Sequence, residues 1–83
     1  MISPERKAKI KWNCRRGMLE LDLILNRFRE QTLETLSKEQ LSSFERLLEL
    51  EDPELYFLLM TDEPISDQEL KEIVSCIKSS NHA

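Results

Sequence analysis

The 83-residue chain has a single glycine, one histidine, two cysteines, three prolines and only 6% aromatic residues. Each scarcity excludes a class of chemistry. A phosphate-cradling loop needs several glycines within a few residues, so the lone Gly17 rules out a self-contained nucleotide loop. Cys14 and Cys76 lack C-x-x-C spacing and have no histidine nearby, which excludes a zinc site. Nothing points to an oxidising compartment, and two reduced, half-buried thiols are expected. His82, in "SSNHA", is read as part of a flexible tail at 79–83, neither ligand nor base. No nucleophile–base pair is evident, so catalysis by this chain is not expected.

Long apolar runs are also missing. No stretch approaches the roughly 20 residues of a membrane-spanning helix, and "MISPERKAKIKW" lacks the apolar block of a secretory signal. Its basic composition resembles a mitochondrial presequence, but Glu5 interrupts it and no spacer precedes the glycine stretch. A cytoplasmic protein without membrane insertion is expected.

What is present reads as helix throughout. Ser3-Pro4 is an N-cap with proline at the first helical position, opening a helix to about Arg16 in which Ala8 with Trp12 and Ile10 with Cys14 make apolar pairs. Met18, Leu21, Leu25 and Phe28 share one face of a second helix, with Leu19, Leu23 and Ile24 widening it. Ser37 with Gln40 forms a capping box ahead of Leu41, Phe44, Leu47 and Leu48. Asp52-Pro53 caps a short helix carrying Leu55, Tyr56, Leu58 and Leu59. Ser66 with Glu69 is a further box, before Leu70, Ile73, Val74 and Ile77. The fold class is therefore all-α: a compact five-helix bundle, one small domain over 1–83.

Charge is distributed unevenly. Residues 1–16 carry six cationic side chains and one anionic, whereas the remainder carries six cationic and fifteen anionic. A basic helix suits phosphates, but the acidic body opposes extended contact with a polyanion, so nucleic acid is not the expected partner. The simplest structural reading docks the first helix on the acidic body of its own domain, and it leaves "RRG" unexplained.

Gly17 admits two readings. As a corner it caps the first helix or starts the second, with Glu20 reaching back to its N–H. As a contact it lets a partner's backbone approach between Arg16 and Glu20, a guanidinium and a carboxylate able to form charge-assisted hydrogen bonds. Sequence alone leaves both open.

The stretch "RRGMLELD" resembles the Arg-Gly-x-x-Glu signature of the SdhE/YgfY family, small bacterial flavinylation factors for succinate dehydrogenase related to a mitochondrial assembly factor. The resemblance extends over "AKIKWNCRRGMLELD", "LSKEQLSSFERLLELEDPELYFLLM" and the helix from 66. It implies a five-helix factor, not an oxidoreductase, that promotes covalent attachment of FAD to the flavoprotein subunit of succinate dehydrogenase and of related fumarate reductases. It further implies that Arg16, Gly17 and Glu20 form the contact surface, with Lys9, Arg15, Met18 and Asp22 on the same face. The bond joins a histidine of the flavoprotein to the flavin, so the chemistry is expected to belong to the partner; the factor itself is expected to be a monomer that acts on its partner's FAD and holds none stably. One departure is Leu58, where the family often has tryptophan. An antitoxin-like or regulatory module is the alternative.

Overall fold

The structure, a computed structural model, describes residues 2–81. Ser3 accepts from the Arg6 N–H at 3.2 Å and Pro4 follows it, so α1 (Pro4–Asn13) starts where sequence places it. The remaining helices are α2 (Leu19–Thr32), α3 (Lys38–Leu48), α4 (Asp52–Met60) and α5 (Gln68–Asn81), with a 3₁₀ turn at Leu33–Thr35. At α3 the capping box forms in both directions, Gln40 N–H to Ser37 Oγ at 3.1 Å and Ser37 N–H to Gln40 Oε1 at 2.9 Å. α5 continues to Asn81 through residues expected to form a tail, while His82 lies outside the described residues.

The periodic apolar positions build the core. Leu21, Leu25 and Phe28 of α2, Phe44 and Leu47 of α3, Leu55 of α4 and Ile77 of α5 are fully buried. Phe28 and Phe44 meet edge to face, with centroids 5.2 Å apart at 66°. α3 packs most extensively on α5, α2 also lies against α5, and α1 lies along α3. The basic first helix docks on the acidic body as its charge suggests: Arg6 pairs with Glu45 at 2.6 Å and Lys7 with Glu34.

Several local expectations yield to tertiary contacts. The cap of α5 is Asp67, whose Oδ1 accepts from Leu70 N–H at 3.1 Å, while Glu69 pairs with Arg46 at 3.0 Å. α1 stops at Asn13, short of Arg16. Trp12 does not pack with Ala8 into the interior but is 71% exposed, and Leu19 and Leu23 face solvent. Cys14 and Cys76 are free thiols, the first buried and the second half-buried.

Candidate functional site

Five residues turn the chain from α1 into α2. Cys14 N–H bonds back to Ile10 O at 3.0 Å and Arg15 N–H to Trp12 O at 3.1 Å, a tightened last turn of the kind that ends helices. Asn26 of α2 donates to the Cys14 carbonyl at 3.2 Å, fixing this helix end against its neighbour. Asn26 in turn accepts from Arg29 and donates to the carboxylate of Asp22. Cys14 lies beneath this network with no exposed surface. Burial pushes its thiol up to about 11, against the pull of Arg29 and Arg16. In native protein at pH 8, iodoacetamide is therefore expected to label Cys76 and to reach Cys14 only after denaturation; mass spectrometry of the two peptides checks this.

Arg16 does not point outward. Its side chain is 12% exposed and crosses to the junction of α3 and α4. There it donates to the carbonyls of Leu48 and, at 3.0 Å, Leu50, and pairs with Asp52 Oδ1 at 3.3 Å. The last carbonyls of a helix have no partner within it and carry the negative end of its dipole, so a guanidinium there satisfies both. Asp52 is drawn into the same arrangement. Sequence makes it the N-cap of α4, but Glu51 occupies that position and Asp52 is already helical. Its carboxylate instead takes Arg16 with one oxygen and the Gly17 N–H with the other, at 3.1 Å. The ion pair with Arg16 adds the charge of a guanidinium, which the backbone N–H groups at a helix start do not carry.

Gly17 is exposed, and its backbone is not left-handed: no described residue, glycine included, has positive φ. Nor does it cap α2, since Met18 is the N-cap and makes no side-chain capping bond. Glu20 consequently sits one position too early for a capping box. It is exposed, and its carboxylate makes no hydrogen bond or ion pair with any described residue. A Cβ at Gly17 would meet Asp52 Oδ2 at 3.4 Å, an ordinary van der Waals contact, so the interior leaves room for a small side chain.

The seven residues singled out from sequence thus divide. Gly17, Glu20, Arg15 and Lys9 are exposed. Met18 is half-buried against the core, Asp22 is tied to Asn26, and Arg16 is an internal clamp. Lys9 lines a cleft of about 340 Å³ between α1 and α3 with Asn13, Glu45 and Glu49. Asn26, Arg29 and Asp52 were not anticipated. Asp52 had a sufficient local explanation as a cap, and the polar residues of α2 had no visible partner in sequence. Leu58 is half-buried against the core of α4, with Phe57 exposed beside it.

No helix among the described residues is long and apolar enough to cross a membrane. The Sdh5 family, described as flavinator of succinate dehydrogenase, matches residues 8–81. The "FAD assembly factor SdhE" of Legionella pneumophila strain Lens is 47% identical over 73 residues, 88% of this chain and 91% of that protein. The protein of the same name from Yersinia pseudotuberculosis is 43% identical over 79 residues, 95% and 90% of the two chains. A solution structure of a UPF0350 protein superposes with a TM-score of 0.82 at 38% identity, over 99% of this chain and 87% of that one. With the family matched over nearly the whole chain and this fold shared, the protein belongs to the Sdh5 family of succinate dehydrogenase flavinators.

Proposed function

We propose that this chain promotes covalent attachment of FAD to the flavoprotein subunit of succinate dehydrogenase in the cytoplasm, by transient binding of a monomer through the Gly17–Glu20 corner. Family membership supports the activity. One observation carries the site: the corner is fixed from inside by Arg16 and Asp52, while Gly17 and Glu20 stand exposed on the outside. A rigid backbone turn with no side chain at its apex lets a partner's backbone approach closely, and Glu20 beside it is a free hydrogen-bond acceptor.

In this reading Arg16 positions the corner and does not touch the partner. Lys9 and Arg15, without ion pairs among the described residues, extend the contact with positive charge. Met18 and Asp22 support the corner from the same helix start. The flavin and its acceptor histidine both belong to the partner, so the factor holds no FAD stably. Its binding energy favours the flavoprotein conformation in which those two groups meet. A small charged surface suits a factor that must leave afterwards. The flavoprotein of fumarate reductase presents the same task and is a second client.

The test is in-gel flavin fluorescence of the cognate flavoprotein from cells with wild-type chain, no chain, Gly17→Arg or Glu20→Ala. The band is expected to be lost or reduced at least tenfold without the chain and with Gly17→Arg, and to weaken with Glu20→Ala. Both purified variants should melt close to wild type, since exposed substitutions shift stability by only about 0.5 kcal/mol. An undiminished band in all four strains overturns the activity. Variants that unfold overturn the placement of the site.

A further inference from the structure

α4 is an unusual helix for its position. Leu55 and Leu59 point into the core, yet Phe57 is 50% exposed and Met60 37%, so apolar residues occupy opposite sides of a nine-residue helix. A surface helix ordinarily keeps its outer face polar. Pro53, Phe57 and Met60, spaced i, i+4 and i+7, form an outward stripe. α2 carries a matching one, Glu20, Leu23, Ile24 and Arg27, again within one i to i+7 span. The α2 stripe and Met60, the last residue of the α4 one, line a groove of about 270 Å³ together: Glu20, Leu23, Ile24, Arg27 and Met60. Pro53, Glu54, Phe57 and Leu58 line a further apolar hollow along α4.

The charges at the ends of this groove narrow the choice of occupant. Glu20 and Arg27 lie seven residues apart, roughly 10 Å along the helix axis at about 1.5 Å per residue. Neither makes an ion pair with any described residue. The groove is thus two helical turns long, apolar in the middle, anionic at one end and cationic at the other. A helix laid in a groove reads such a pattern through apolar anchors at i, i+3, i+4 and i+7.

We infer that the α2/α4 groove seats a short amphipathic helix of the flavoprotein, whose apolar face covers Leu23, Ile24 and Met60 and whose basic and acidic residues, two turns apart, meet Glu20 and Arg27. This rests on the flavoprotein reading and adds to it the kind of segment bound and the order of its charges along the groove. A second copy of this chain fits the groove less well. A two-fold contact would place Glu20 against the other copy's Arg27, but it would set one concavity against another and leave both unfilled.

The experiment measures binding of purified succinate dehydrogenase flavoprotein subunit, not yet carrying covalent flavin, to wild-type chain and to Leu23→Glu, Met60→Ser and Arg27→Glu. Circular dichroism melts verify folding, and size-exclusion chromatography reports self-association. Leu23 is 60% exposed, so Leu23→Glu is expected to fold normally and to weaken binding at least tenfold. Met60→Ser should weaken it less, and Arg27→Glu should slow association and reduce its salt dependence. Wild-type affinity in both Leu23→Glu and Met60→Ser overturns the groove and leaves the corner reading standing. Absence of binding by the wild-type chain overturns both. A wild-type dimer that Leu23→Glu dissociates without loss of flavoprotein binding overturns the helix in favour of a second copy.

Discussion

Arg16→Ala is expected to lower the melting temperature by roughly 10–20 °C, the largest effect of any charged residue in the chain. The substitution strips the Leu48 and Leu50 carbonyls of a donor and leaves Asp52 without its cation at a part-buried junction. Leaving acceptors in a part-buried place without their donor costs about 1–3 kcal/mol each, so the three together lose about 3 kcal/mol at the low end. For a domain of this size each kcal/mol moves the midpoint by about 4–8 °C. Even the low end of that penalty accounts for the expected shift. Arg16→Lys should recover little, since one ammonium cannot reproduce the planar fork that reaches two carbonyls and a carboxylate. Thermal unfolding followed by circular dichroism decides the matter: a midpoint within about 3 °C of wild type would mean that the guanidinium is not structural. The consequence for function is direct. Under the function proposed above, loss of flavinylation in an Arg16 variant reports on the fold, whereas the same loss in a Glu20 variant that melts like wild type reports on the contact.

Phe44→Ala should leave most of the chain unfolded at 37 °C. Phe44 has no exposed surface and packs edge to face on Phe28 where α2 faces α3. Truncating a buried phenylalanine costs about 3–5 kcal/mol, part of it the cavity that the surroundings cannot close. The aromatic pair contributes about 0.5–1.5 kcal/mol beyond area. Set against a total stability of about 5 kcal/mol, the low end for natural domains and the end expected of a chain of 83 residues, little or nothing remains. Urea titration of Phe44→Ala beside Phe44→Leu measures it. The leucine variant should retain a cooperative transition, and an alanine variant as stable as the leucine one would remove this pair from the centre of the core.

The two variants mark different origins of stability. Phe44 was legible as a core residue because it lies in register with Leu41, Leu47 and Leu48 on one helical face. The role of Arg16 was not legible, because its acceptors lie 32 to 36 residues further along the chain. The same contrast separates the caps. Ser3 and Ser37 act on N–H groups three residues ahead and behave as read. Asp52 meets the same local rule and breaks it, since folding brings a half-buried guanidinium within reach. At α5, Asp67 displaces Ser66 as cap while Glu69 turns to Arg46 on α3.

Gly17 illustrates how an isolated residue misleads when only local rules apply. A single glycine at a helix corner suggests a left-handed cap, yet its backbone is ordinary and its N–H bonds to a distant aspartate. Leu19 and Leu23 mislead in the opposite direction. Hydrophobicity assigns them to the core, and the packing of α2 against α5 and α4 leaves them outside.

Sequence by itself determined the helical class, the number of helices, their starts to within about one residue and most of the residues that fill the core. These follow from interactions within four residues or from a 3.6-residue period, both of which are written along the chain. Tertiary structure alone decided that Arg16 turns inward, that Asp52 serves the corner and not its own helix, and that Glu20, Leu23 and Met60 share one surface. Those outcomes depend on which distant groups arrive together on folding, and a charged or apolar side chain follows the strongest partner within its reach.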